Sequence, residues 1–110
     1  MTRGDSQRIA DIRDAGTEIT AVVALGRSHF MATKIHQRGV ERLLEIVGEA
    51  SRQLGDGVKS RHPEVNWRDL AGLRVVLTHR YHRVDPQQVW TSASRDVPRL
   101  LQALVDEQGD

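Results

Sequence analysis

Apolar side chains recur along this sequence in steps of three and four, the spacing that aligns residues on one face of an α-helix. The first such stripe is Ile9, Ile12, Ile19 and Val23, with Gly16 on the same line; Asp5 or Ser6 is the expected N-cap and Gly26 the stop. After a short segment around Phe30 and Met31, the stripe Val40, Leu43, Leu44, Val47, Ala50 and Leu54 predicts a longer second helix closed by Gly55 and Gly57. The stretch 56–66 is polar and holds Pro63, so it reads as a connection with room for one helical turn near Val58 to Arg61. Asn66, with Asp69 three residues on, caps a third helix whose inward line is Leu70, Leu73 and Leu77. Asp85 and Pro86 open a fourth, with Val89, Ala93, Val97, Leu100 and Leu104 inward beside Trp90 and Leu101, and Pro98 is expected to kink or restart it. No alternating strand pattern or repeat interrupts this series, so the expected fold is all-α, an antiparallel up-and-down bundle of four main helices.

Composition narrows the picture. A length of 110 residues predicts one domain over 1–110 with one core. Aromatics are only 4%, so that core must be aliphatic. The absence of cysteine excludes disulfides, thiol nucleophiles and cysteine-ligated zinc, and fits a reducing cytoplasm. The polar stretch Met1 to Asp14 lacks the apolar run of a signal peptide and no later segment reaches membrane-spanning length. A cytoplasmic protein with no membrane partner is expected.

Charge and the third helix carry the functional information. Net charge is +1, yet from Arg61 to Arg83 five arginines face two acids, Glu64 and Asp69, with His62, His79 and His82 in addition. Such a local excess either meets a phosphate backbone or forms a solvated basic helix face. At about 100° per residue, Val75 and Val76 fall well off the Leu70, Leu73, Leu77 line. That extra apolar surface calls for a second copy of the chain, so a homodimer is expected. Arg74 and Tyr81, seven apart, fall within about 20° of each other, whereas His79 lies about 140° from Arg74 on a straight helix. For both to meet one phosphate, either the helix loosens after Thr78 or a partner chain supplies part of the site.

The run Arg74-Val-Val-Leu-Thr-His79-Arg-Tyr81 fits the pattern R-x4-H-x-Y, and with it the chain resembles the HepT-like proteins of the HEPN superfamily. The likeness extends through Arg42 to Ala50, through Pro63 to Arg74, and through Val84-Asp85, Val89-Trp90 and Asp96 to Pro98. The resemblance implies the toxin of a toxin–antitoxin pair: a metal-independent endoribonuclease whose site forms at a dimer interface, with Arg74 and His79 catalytic and no cofactor. It further implies a cognate MntA-like nucleotidyltransferase antitoxin that transfers AMP from ATP to Tyr81. The chemistry is coherent. Histidine, with an ordinary pKa near ~6.5, exchanges protons near neutral pH. Arginine holds a planar charge for the phosphate. The 2′-hydroxyl of RNA is an internal nucleophile.

The sequence departs from relatives at Val75, where a polar residue is usual, and at Arg80, where an acid is common; His82 and Arg83 replace an aromatic and a glycine. Arg80, His82 and Arg83 become candidate RNA contacts, while the loss of a polar group at Val75 motivates an alternative, a catalytically weak binding module that pairs with the nucleotidyltransferase and regulates it. His79 and His82 lack a third ligand for a metal, so no metal is expected. His29, His36 and His62 read as ordinary surface residues. Gly55-Asp56-Gly57 reads as a turn, not a phosphate cradle, because no strand precedes it.

Overall fold

In the computed structural model, residues 2–79 and 84–107 are described, with the backbone alone over 74–79. The first stripe forms α1 (Arg3–Val23). Its cap is Thr2, upstream of the expected Asp5 or Ser6. The Thr2 hydroxyl accepts the Asp5 N–H at 3.0 Å, and the Asp5 carboxylate accepts the Thr2 N–H at 3.2 Å. Asp5 is thus the inner member of a reciprocal capping box, not the cap itself. Its Oδ1 also accepts the Gly55 N–H at 2.8 Å, which ties the start of α1 to a point fifty residues away.

Gly26 ends this first segment as expected, with φ of 97°, a backbone state that disfavours side chains. The segment around Phe30 is a separate short helix, α2 (Arg27–Ala32), and the second stripe belongs to α3 (Lys34–Gln53), which starts six residues before Val40. The buried Gln37 side chain splints the two, donating to the Phe30 carbonyl at 2.9 Å and the Met31 carbonyl at 3.2 Å. Phe30, fully buried, packs its ring 5.4 Å from that of Trp90. The single helical turn expected in the connection is α4 (Asp56–Ser60), and the third helix is α5 (Trp67–His79).

Asp85 caps α6 (Pro86–Thr91) by accepting the Gln87 N–H at 2.9 Å. A π-helical turn (Ser92–Asp96) then leads without a break into α7 (Val97–Ala103). The expected kink at Pro98 is resolved by this wider turn. Proline has no N–H to donate and its ring crowds the carbonyl four residues back, so a turn with one more residue relieves the conflict.

The core is aliphatic: Ile9, Ile12, Ile19, Val40, Leu44, Val47, Val97, Leu100 and Leu104 are buried together, with Phe30 as the one buried aromatic among the described residues. α3 is the central strut, packed against α1 on one side and α5 on the other. α1 also meets α7, and Gly16 makes that approach possible, since a Cβ there would lie 2.7 Å from the Leu101 side chain. The all-α architecture of four main helices is therefore as the periodicity predicts, with no strand among the described residues.

The side-chain ties define two poles. At one, Asp5 joins the start of α1 to the end of α3, and Arg61 beside α4 pairs with Glu107 after α7. At the other, Arg27 of α2 donates to the Gln87 side chain at the start of α6. α5 rises from the first pole, and the chain re-enters at the second through α6.

Asp5→Ala removes the inner half of the α1 capping box and strands the Gly55 N–H. Urea denaturation is expected to show a loss of roughly 2 kcal/mol, with Ser6→Ala near neutral.

Candidate functional site

The residues before α5 fix where that helix starts. Asn66 caps it as expected: its Oδ1 accepts the Asp69 N–H at 3.1 Å, and its Nδ2 donates to the Asp69 carboxylate at 2.8 Å. The Trp67 indole donates to the His62 carbonyl at 3.1 Å, folding the first turn back on its own lead-in. His62 is not an ordinary surface residue. It is largely buried, and its Nε2 meets the Glu107 carboxylate at 2.7 Å.

Arg61 completes this clamp with two hydrogen bonds to the same carboxylate, at 2.7 and 3.1 Å. Arg13 of α1 donates to the Leu104 and Glu107 carbonyls at 2.7 and 2.6 Å. The Arg61 guanidinium and then the His62 ring hold the Glu107 carboxyl down at about 2, against an ordinary 4.5. The lead-in to α5, the end of α7 and the middle of α1 are thus locked together. These partners lie more than forty residues apart in sequence, so no local pattern announces them.

From that anchor α5 runs for thirteen residues, about 20 Å at 1.5 Å per residue, with Leu70 buried in the core. Positions 74 and 79 both lie in this helix, and its backbone stays α-helical through His79. Loosening after Thr78 does not occur before His79, so the two positions remain about 140° apart around the axis. The side chains of Arg74 and His79 lie outside the described residues, as do Arg80, Tyr81, His82 and Arg83 entirely.

A groove of about 900 Å³ opens between α5 and α7, floored by Leu70, Leu73 and Leu100 and edged by Asp69, Arg95 and Arg99. It flanks the first half of α5, and nine residues separate Leu70 from His79, about 13 Å along the axis. The groove also reaches Leu73, the residue before Arg74, and so borders the start of the motif. Among the described residues no three histidines, cysteines or carboxylates cluster as metal ligands would, and no helix is long and apolar enough to cross a membrane.

The described residues form an all-helical bundle whose third long helix ends on an R-x4-H pattern, the arrangement expected of a HEPN-like protein. Residues 12–106 match the family model described as Ribonuclease HepT-like, and the chain belongs to that family. It is 41% identical over 71 residues to a Thermococcus cleftensis protein named "Probable ribonuclease HepT", a match covering 64% of each. A Methanocaldococcus jannaschii protein with a provisional RNase name is 36% identical over 73 residues, 66% of this chain and 67% of that one. A Caldanaerobacter subterraneus protein, also provisionally named an RNase, is 30% identical over 82 residues, 74% of this chain and 73% of its own length. The chain thus spans just under two thirds of its Thermococcus relative. No solved structure matches it at a significant level.

The Glu107 clamp has a pH signature. Its carboxyl is lowered in the folded state, so the stability it adds is complete above the ordinary 4.5 and is lost as pH falls toward about 2. Denaturation between pH 7 and 2.5 is expected to show Glu107→Gln less stable at neutral pH and less sensitive to acid than the wild type. Parallel pH profiles would contradict the clamp.

Proposed function

We propose that this protein is an endoribonuclease toxin that cleaves RNA without a metal, and that Arg74 and His79 are its catalytic residues. The observation that carries the reading is the R-x4-H-x-Y pattern in the sequence, with positions 74 and 79 in α5, in a chain of the ribonuclease HepT-like family. Relatives bearing ribonuclease names support the same chemistry.

His79 takes the proton from a ribose 2′-hydroxyl, and the freed oxygen attacks the adjacent phosphorus. The bond to the 5′-oxygen breaks, that oxygen takes up a proton, and a 2′,3′-cyclic phosphate remains on the upstream fragment. Arg74 balances the charge that builds on the phosphoryl oxygens. Because α5 stays helical through His79, a homodimer in which two copies of α5 meet is the arrangement that brings a guanidinium and an imidazole to one phosphodiester. Val75 and Val76 provide apolar surface for that contact, Arg80 and Arg83 add positive charge for the strand, and His82 adds a hydrogen-bonding ring.

Control falls to a nucleotidyltransferase antitoxin in the same cytoplasm. The Tyr81 phenol oxygen attacks the α-phosphorus of ATP, pyrophosphate leaves, and the attached AMP sets bulk and negative charge beside the motif. Val75 in place of a polar residue favours one second reading, a weakly catalytic module that binds and regulates this partner.

Purified protein incubated with RNA in EDTA is expected to cleave it, and His79→Ala to lose about 10²-fold or more in rate. Cleavage abolished by EDTA, or unchanged in His79→Ala, contradicts the mechanism. Antitoxin and ATP are expected to silence the wild type but not Tyr81→Phe. Complex formation with no cleavage supports the binding module.

A further inference from the structure

We infer that the pole formed by α2 and the first turns of α3 is an RNA-backbone-binding surface that leads the substrate strand to the motif at the end of α5. This rests on the ribonuclease reading above and assigns it a binding face outside the motif.

From Ile19 to Val40 the sequence has no aspartate or glutamate, while it holds Arg27, Lys34 and Arg38 together with His29 and His36. In a chain whose net charge is only +1, so long a run without acids is a marked asymmetry. The fold gathers it in one place, because α2 and the start of α3 cap the same pole. Arg27, His29, Lys34 and Arg38 are exposed there.

α5 rises from the opposite pole, where its lead-in is clamped, and ends at His79 toward the α2 pole. Arg27 reaches across to Gln87 in the first turn of α6, so α2 borders the point at which the chain returns from the motif. That bond engages part of a guanidinium that has five donors, leaving others for a phosphate. Asp85 is the acid at this junction, and its carboxylate is occupied in capping α6.

The histidines add donors. His29 Nε2 and His36 Nδ1 lie 2.9 Å apart, so one ring donates and the other accepts. Whichever way the proton sits, one neutral ring keeps an outer N–H able to donate to a phosphate oxygen. Arg38 is ion-paired with Glu41 at 2.8 Å and contributes less.

These cations carry a cost. Lys34 stands in the first turn of α3, which has no acid and no side-chain cap, where a cation opposes the helix dipole. By contrast α1, α5 and α6 open with Asp5, Asp69 and a capping Asp85. Stability alone favours an acid at Lys34, and binding a polyanion explains a lysine.

The test compares wild type, Arg27→Ala/Lys34→Ala, Lys34→Ala alone and Arg3→Ala at the opposite pole, each checked for folding by circular dichroism. Binding of a single-stranded RNA oligonucleotide is followed by fluorescence anisotropy across a salt series, and cleavage is measured in parallel. The double variant is expected to raise Kd and KM about tenfold with kcat unchanged, and to flatten the slope of log affinity against log salt by roughly 1.4, about 0.7 for each lost phosphate contact. Lys34→Ala, which removes no side-chain hydrogen bond or ion pair among the described residues, is expected to show about half that slope change, and Arg3→Ala none. Wild type that binds and cleaves while the double variant matches it in KM and salt slope overturns this surface and leaves the ribonuclease reading standing. Loss of kcat alone, or an equal effect of Arg3→Ala, also overturns it. Wild type that neither binds nor cleaves RNA overturns both.

Discussion

The packing of α3 between α1 and α5 is the constraint from which the rest follows. Val40, Leu44 and Val47 are wholly buried in that sandwich. With few aromatics, the core gains its cohesion from many aliphatic contacts of similar size, each worth on the order of 1.5–3 kcal/mol when fully buried. Such a core fixes helix axes but leaves the ends to polar contacts. Asp5 performs that task between α1 and α3, Gln37 between α2 and α3, and Glu107 between the lead-in to α5 and the end of α7. α5 is accordingly anchored at its origin and carries the motif at its far end.

The long helices were legible because burial imposes periodicity. Ile9, Ile12 and Ile19, or Val40, Leu44 and Val47, are spaced by the geometry of one buried face, and that spacing survives in the sequence. The shorter features were less so. Ser6 and Asp5 both have cap-forming side chains, and only the backbone turn at Thr2 decides which residue stands outside the helix. α2 is too short to display a period and is held by a glutamine from the next helix. Pro98 announced a disturbance, but a proline alone does not say whether its relief is a kink, a restart or the π turn over 92–96.

The candidate site divides along the same line. Asn66, Asp69 and Leu70 were readable because capping and burial are local, and the R-x4-H-x-Y pattern was readable from its own residues. His62 was misread because its side-chain partner, Glu107, lies 45 residues away and is brought to it by tertiary folding. His29 and His36, seven apart across a helix junction, form a hydrogen-bonded pair for the same reason. Spacing on one helix cannot express a contact made across a bend.

The central claim is that two copies of α5 build one catalytic site, and complementation tests it most directly. Arg74→Ala and His79→Ala proteins, each inactive alone, are mixed under conditions that exchange subunits, with heterodimers monitored by native mass spectrometry. Recovery of RNA cleavage in step with heterodimer formation is the predicted result. A mixture that stays inactive with heterodimers present, or a wild type that cleaves RNA as a monomer, would contradict it.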